Sequence, residues 1–252
     1  MRDELDEFFV GYLPTPPRTK RFAIGVAAAM VALALGVAVL GVVGEGSTGR
    51  GFGPQAQTPT EGVVGLLSTH PYGVLWVPSD HGASAVLLVR QGKFGIGSMF
   101  DAMDGTIVRV HGYSLEREGR TMIELGGAPE SAELPETTVT SLRARTITAP
   151  RTVRLTGEIV DEKCWLGRMR PGAGRTHRAC AQLCVAGGIP PVVVGTDDGG
   201  VAYAAVVVGE HGEAITDAVL PYLAEPVAVR GELVRDGDLD YLRVAPGGIE
   251  RL

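Results

Sequence analysis

The sequence predicts a mainly β protein with one membrane-spanning helix near its N-terminus, followed by two small β-barrels. Three observations lead to this prediction. An uncharged apolar run occupies residues 22–43, short segments of alternating hydrophobic and polar residues fill most of the remaining chain, and one pattern of strands occurs twice. A long apolar run is typical of a transmembrane helix, and short alternating segments are typical of β-strands.

The apolar run is FAIGVAAAMVALALGVAVLGVV, which has 22 residues and no charge. As a helix it reaches about 33 Å, and the hydrocarbon core of a bilayer is about 30 Å thick. A cleaved signal peptide is the alternative, but its apolar region usually has about 7–15 residues and follows a short basic segment. Here the preceding segment is long and opens with the acidic stretch MRDELDEFF. We therefore expect an uncleaved anchor at residues 22–43.

The flanking charges predict the orientation of this anchor. Basic residues cluster at positions 18–21, directly before the run, whereas the first basic residue after it is Arg50. Because positive flanks stay in the cytoplasm, we expect residues 1–21 to be a cytoplasmic tail and residues 44–252 to lie outside the cytoplasm.

The net charge of the chain is −6, and the first 21 residues contribute four basic and four acidic side chains, so the excess of negative charge belongs to the outer part. Only 6% of the residues are aromatic. An acidic protein with few aromatic residues is a poor match for nucleic acid or for a polybasic lipid-binding surface. The expected partners are the membrane and other membrane or periplasmic proteins, with no nucleic acid.

Two segments near the ends of the two halves of the outer part align with each other. They are IVRVHGYSLEREGRTMIEL and VAVRGELVRDGDLDYLRV. Each alternates hydrophobic and polar residues, has a glycine after the fourth or fifth residue, and contains a charged turn, so each predicts a β-hairpin.

The remaining segments complete the pattern. EGVVGLL and RLTGEIVD are predicted strands, SAVLLVRQGKFG contains another, and PPVVVGTDDGGVAYAAVVVG predicts a hairpin in the second half. GSMFDAMDG predicts a short helix or turn, and EAITDAVLPYLAEP predicts a helix. Short strands with a helix before the last pair suit five-stranded barrels of the OB type, although one larger β-sandwich is the alternative.

These boundaries divide the outer part into two predicted domains joined by linkers rich in Gly, Pro, Thr and Glu. The segments are a linker at 44–61, a first OB-like domain at 62–127, a second linker at 128–152, and a second OB-like domain at 153–252.

All three cysteines of the chain lie in the second predicted domain, in the spacing Cys164-x12-His177-x2-Cys180-x3-Cys184. With Thr176 as its cap, a helix over this region places positions 177, 180 and 184 on one face, and the flexible turn RPGAGR lets Cys164 fold back toward them. Three thiolates and one imidazole suit zinc, and thiolates also suit copper or iron. We therefore predict a metal site at these four residues.

Two other interpretations remain open. Outside the cytoplasm, Cys164 can form a structural disulfide with Cys180 or Cys184 and leave one thiol over. A redox-active thiol pair is the third possibility and requires an exposed thiolate with a lowered pKa. The charged run Asp161–Lys163 stands beside the site. One of its residues can orient His177, although a solvated strand end is the commoner explanation for such a run.

The second half resembles a group of bacterial exported proteins and lipoproteins of unassigned function. The resemblance rests on TGEIVDEKCWLG, HRACAQLCVAGGIPPVVVGTDDGGVAY and VRGELV, and covers residues 155–245. It implies a small OB-like domain whose site comprises Cys164, His177, Cys180 and Cys184, and it implies no reaction. With the anchor, it indicates a single-pass protein of a bacterial cytoplasmic membrane whose C-terminal domains are periplasmic.

The predicted function is that of a membrane-anchored protein with a transition-metal or redox centre, as an accessory subunit or assembly factor of a membrane redox complex. The alternative is a structural interaction module whose cysteines form a disulfide staple. The sequence contains no phosphate-binding loop, nucleophile elbow or metalloprotease motif, which argues against a familiar class of enzyme.

Overall fold

The structure is a computed structural model, and it divides the chain into two compact units, Met1–Gly51 and Phe52–Leu252. It describes residues 15–48, 58–80 and 82–252. Much of the predicted cytoplasmic tail (1–21) and of the predicted linker (44–61) therefore lies outside the described residues.

The first unit contains helix α1, Pro17–Thr48, which includes the whole predicted run and extends beyond it at both ends. Pro17 suits the start of a helix because its missing N–H has no partner to lose there. The segment Pro17–Leu40 is long and apolar enough to cross a bilayer, and its side chains are exposed. An apolar N-terminal helix of spanning length is thereby confirmed.

The second unit contains two β-sheets. The first sheet comprises β1 (Thr58–Ser68), β2 (Val74–Ser79), β3 (Gly82–Val89), β4 (Ile107–Arg117), β5 (Arg120–Leu125) and β6 (Glu130–Ser131). The second comprises β7 (Arg151–Asp161), β8 (Pro191–Asp197), β9 (Ala202–Gly209), β10 (Pro226–Asp236), β11 (Leu239–Val244) and β12 (Ile249–Arg251).

Both sheets have the same strand order. In the first sheet the order is β1-β2-β3-β5-β4, and β4 pairs back to β1, so five strands form a closed barrel. In the second sheet β7-β8-β9-β11-β10 close in the same way. In each barrel the third and fifth strands are parallel neighbours and the other pairs are antiparallel. The predicted mainly β class is confirmed, and closed barrels form instead of one sandwich.

The glycine shared by the two aligned hairpins lies where the fourth strand crosses the fifth. A Cβ atom on Gly112 would lie 2.1 Å from the Glu124 carbonyl oxygen, and one on Gly231 would lie 2.2 Å from the Arg243 carbonyl oxygen. Only glycine permits such a close backbone approach. The repeated glycine thus reflects the tight curvature that both barrels need to close.

The helices agree only in part with the sequence-based predictions. Gly97–Met103 is a short 3₁₀ helix, as predicted, and α2 (Glu136–Arg143) lies within the predicted linker 128–152. The helix predicted over residues 213–226 is wrong, because only Leu220–Tyr222 forms a 3₁₀ turn there. Pro221 lies inside the predicted helix, where a proline removes a helical N–H and clashes with the preceding turn.

Part of the hydrophobic core is shared by the two sheets. One buried cluster combines Trp76 and Leu87 of the first sheet with Val160, Trp165 and Val206 of the second half. Removing such side chains from water is the main stabilising contribution in a domain core. The division into two domains remains a prediction, since both barrels belong to one compact unit.

Two buried ion pairs also join the sheets. The Lys163 ammonium lies 2.8 Å from Glu124 of β5, and the Arg120 guanidinium of β5 lies 2.5 Å from Glu162. The side chains of Lys163, Glu124 and Glu162 are 1%, 4% and 0% exposed. A charge buried to this degree is tolerated only with a close partner, so these pairs restrict how the barrels pack.

Replacing Lys163 with methionine should destabilise the protein strongly. The change leaves the Glu124 carboxylate buried without this cation, and it removes the donor that serves the carbonyls of Arg90 and Gly92. Loss of one partner of a buried ion pair typically costs about 3–5 kcal/mol. Urea denaturation of the full-length protein in detergent should show this loss in the free energy of unfolding.

The matched control is Arg235→Met. Arg235 pairs with Asp240 at 2.7 Å, but its side chain is 54% exposed. Exposed pairs contribute about 1 kcal/mol or less. Equal losses in the two variants would contradict a structural role for the buried pair.

Candidate metal centre

The site begins where strand β7 ends, in three consecutive charged residues that are all buried. Asp161 and Glu162 are 0% exposed and Lys163 is 1% exposed. The expectation of a solvated strand end is therefore wrong. Each residue has its own charged or polar partner, because burial of an unpaired charge is too costly.

Asp161 connects the strand end to the helix that follows. One of its carboxylate oxygens accepts the backbone N–H of Cys164 at 2.9 Å, and the other lies 2.7 Å from the Nε2 atom of His177. The predicted orientation of His177 by a residue of the charged run is thus present in the structure. Two contacts from one carboxylate fix both the first cysteine and the start of the helix.

The other two cysteines lie on helix α3, Arg178–Ala186, whose C-cap residue is Gly187. The predicted cap at Thr176 is wrong, because His177 precedes the first helical residue and no side chain caps the helix. Cys180 and Cys184 are one turn apart, so their sulfurs point from the same face.

The structure brings the three sulfurs together. The Sγ atoms of Cys164, Cys180 and Cys184 all lie within 4.8 Å of one another. All three cysteines are free thiols, with Cys164 and Cys184 buried and Cys180 half-buried. A tetrahedral metal with bonds of about 2.3 Å to sulfur separates its sulfurs by about 3.8 Å. Small side-chain movements are enough to close this group around one ion.

His177 lies in a neighbouring group. Its ring nitrogen, the Cys164 sulfur and an Asp161 oxygen lie within 4.8 Å of one another. All three residues are buried. The four predicted ligands are therefore arranged as three cysteines in one group and His177 in another, with Cys164 common to both.

A lysine from the other barrel approaches the sulfurs. Lys93 donates to the Cys180 sulfur at 2.7 Å, and its Nζ atom lies 3.7 Å from the Cys184 sulfur. The loop after β3 brings it there through backbone contact, since the Gly95 N–H donates to the Gly187 carbonyl at 2.9 Å. A Cβ atom on Gly187 would lie 1.8 Å from the Lys93 carbonyl oxygen, so glycine permits this approach.

Lys163 holds the same loop through hydrogen bonds to its backbone. Its ammonium donates to the carbonyl oxygens of Arg90 and Gly92 at 2.9 and 2.7 Å. The buried charge that joins the barrels therefore also positions the turn that presents Lys93 to the sulfurs.

The sulfurs are electrostatically unequal. The pKa of the Cys184 thiol is lowered, above all by a hydrogen bond with Cys164, while burial opposes the shift and the charge of Lys93 assists it. The same hydrogen bond raises the pKa of Cys164, as do burial and the charge of Asp161. The proton of this pair therefore stays on Cys164, and Cys184 is the more readily ionised sulfur.

The pKa of Lys93 itself is raised. Burial lowers it, but the hydrogen bond to Cys180 and the charges of the sulfurs outweigh that effect. Lys93 thus remains a cation beside the sulfurs, where it favours the thiolate forms that bind metals.

A fourth sulfur lies at the rim of the group. The Sδ atom of Met169, whose residue is 47% exposed, lies 3.6 Å from the Cys180 sulfur. Lys93 and Met169 are neighbours of the site that the cysteine spacing does not predict. No local motif in the sequence could have identified Lys93, because it comes from a distant segment. Met169 does have a signal, since it is a sulfur-containing residue inside the cysteine segment.

Comparison with known proteins gives no match among protein-family models, curated proteins or solved structures. The chemistry of this site must therefore be inferred from its own donor atoms. Three cysteine sulfurs within 4.8 Å of one another, beside the Lys93 cation, are suited to bind a soft metal ion.

Replacing Lys93 with methionine should shift the ionisation of the thiols to higher pH. The variant loses a positive charge that lowers the pKa of Cys184, so its thiolate forms later as the pH rises. Ultraviolet absorbance of the thiolate, measured against pH in reduced, metal-free protein, records the shift. The Lys93→Arg variant retains the charge and should titrate closer to the unaltered protein. Identical curves for Lys93→Met and the unaltered protein would show that the lysine has no electrostatic role.

Proposed function

We propose that the protein is a membrane-anchored metal-binding protein that holds one soft transition-metal ion through Cys164, Cys180 and Cys184. The observation that supports this most directly is the convergence of three free sulfurs within 4.8 Å of one another. A disulfide staple uses two sulfurs and leaves the position of the third unexplained, whereas a shared metal ion uses all three.

The surroundings of the sulfurs support ligation further. Bound thiolates carry negative charge, and the Lys93 ammonium at 2.7 Å from Cys180 offsets part of it. Asp161 fixes the backbone of Cys164 through a 2.9 Å hydrogen bond. Metal sites commonly depend on such outer contacts, because they hold the ligands in place before the ion arrives.

The location is part of the proposal. Helix α1 supplies a segment of spanning length, and the basic residues at positions 18–21 favour a cytoplasmic N-terminus. We place residues 44–252 on the outer side of a bacterial cytoplasmic membrane. There the metal site serves a membrane redox complex, and the protein acts as an accessory subunit or an assembly factor of that complex.

The barrels provide the scaffold in this proposal. Their shared strand order and five-stranded closure support assignment of both to the OB type. The net charge of −6 favours a protein or metal partner over nucleic acid.

Elemental analysis of the full-length reduced protein should find about one tightly held transition-metal ion per chain after exposure to zinc or copper(I). Cys180→Ser/Cys184→Ser should lose this ion, because one remaining thiolate is a weak site. His177→Gln should retain the stoichiometry, since its Nε2 atom faces Asp161 at 2.7 Å. Thiol counting before and after loading provides the second measurement.

Two outcomes would contradict ligation by the three sulfurs. Absence of bound metal, together with one disulfide and one unreactive thiol, would favour the staple. Loss of the ion in His177→Gln but not in the double cysteine variant would show that His177, and not the pair Cys180 and Cys184, holds the ion.

The topology has a separate test. Trypsin added to cells with a permeabilised outer barrier should cut after Arg50, the first basic residue beyond the span, and should leave the N-terminal tail protected. After lysis of the inner membrane, the tail should also be digested. Protection of the whole chain until lysis would place the barrels in the cytoplasm.

A further inference from the structure

The donor atoms around the cysteines favour one class of metal ion. Zinc sites are completed by cysteine, histidine or carboxylate ligands. Here the histidine nearest to the cysteines directs its Nε2 atom to Asp161 at 2.7 Å, whereas the thioether of Met169 approaches Cys180. Thiolate and thioether donors both suit copper(I), whereas a thioether is not among the usual zinc ligands.

Contacts on both sides of Met169 hold its segment in place. A Cβ atom on Gly172 would lie 2.2 Å from the Cys164 carbonyl oxygen, so this part of the chain packs directly on the cysteine backbone. On the other side of Met169, Arg168 donates to the buried Glu124 at 3.2 Å. The methionine is therefore held between two anchored neighbours beside the sulfurs.

The spacing of one pair of sulfurs, those of Met169 and Cys180, agrees with a shared ion. The Met169 and Cys180 sulfurs are 3.6 Å apart, and a tetrahedral ion with bonds of about 2.3 Å requires about 3.8 Å between its sulfur donors. A methionine that only filled an apolar gap would be expected in the core. This one is 47% exposed and lies beside the Cys180 sulfur.

From these contacts we propose that the site is a copper(I) site with four sulfur ligands, the three cysteines and Met169. This inference rests on the proposed function and specifies its metal. Binding replaces thiol protons, which pass to solvent, and the copper remains monovalent. The positive charge of Lys93, 2.7 Å from Cys180, partly neutralises the anionic complex.

The test compares Met169→Leu with the unaltered full-length protein in detergent, reduced and without oxygen. Leucine conserves the volume of methionine, so the fold should be retained, and circular dichroism verifies this. Copper(I) and zinc affinities are measured separately by competition with chromophoric chelators. Met99→Leu is the matched control, because Met99 is similarly exposed, at 59%, and lies in the 3₁₀ helix Gly97–Met103 between β3 and β4.

Met169→Leu should weaken copper(I) binding by roughly tenfold or more, a loss that even outer contacts of a metal site can cause. Its zinc affinity, and both affinities of Met99→Leu, should stay within about twofold of the unaltered protein.

An unchanged copper(I) affinity in Met169→Leu, or an equal loss for both metals, would overturn the inference. Tight binding of zinc but not copper(I) by the unaltered protein would also overturn it and leave the proposed function standing. If the unaltered protein binds neither ion, the proposed function itself fails.

Discussion

Three consecutive buried charges at the end of β7 determine how the rest of the site is arranged. Asp161, Glu162 and Lys163 are almost completely removed from solvent, and a buried charge without a partner costs several kcal/mol. Each charge therefore needs a partner, and the three partners belong to different parts of the fold. Asp161 contacts the backbone and side chain of the cysteine segment, Glu162 contacts Arg120, and Lys163 contacts Glu124 and the loop after β3.

The candidate metal site follows from this arrangement and includes residues of both barrels. Its sulfurs all come from the second half, but Lys93 reaches them from the first. The loop with Lys93 is held by Lys163 and by the close backbone contact between Gly95 and Gly187. The geometry of the sulfurs and the packing of the two sheets are therefore coupled, because residues 161–163 take part in both.

Much of the fold follows from local patterns. In β4, buried Val108 and Val110 alternate with exposed residues, and this alternation identifies the strand from the sequence. The repeated glycine is visible in the sequence as a pattern. Its cause, the close backbone approach at Gly112 and Gly231, is visible only in the structure. Cys180 and Cys184 lie one helical turn apart, so their common direction is also predictable.

The parts that could not be predicted depend on long-range contacts. A run of Asp, Glu and Lys has the same sequence whether it is solvated or paired in the interior, so its burial has no local signal. The partner of Lys93 lies 87 residues away along the chain. His177 has the spacing of a ligand, but a carboxylate sixteen residues earlier orients its ring. The helix expected over 213–226 failed because Pro221 outweighs the apolar periodicity around it.

X-ray absorption at the metal edge of the loaded full-length protein tests the sulfur site most directly, because it identifies the donor atoms. Convergence of the cysteines predicts a shell of sulfur atoms at about 2.3 Å, without the scattering of an imidazole ring. A shell of nitrogen and oxygen donors, or an imidazole nitrogen at about 2.0 Å, would contradict it.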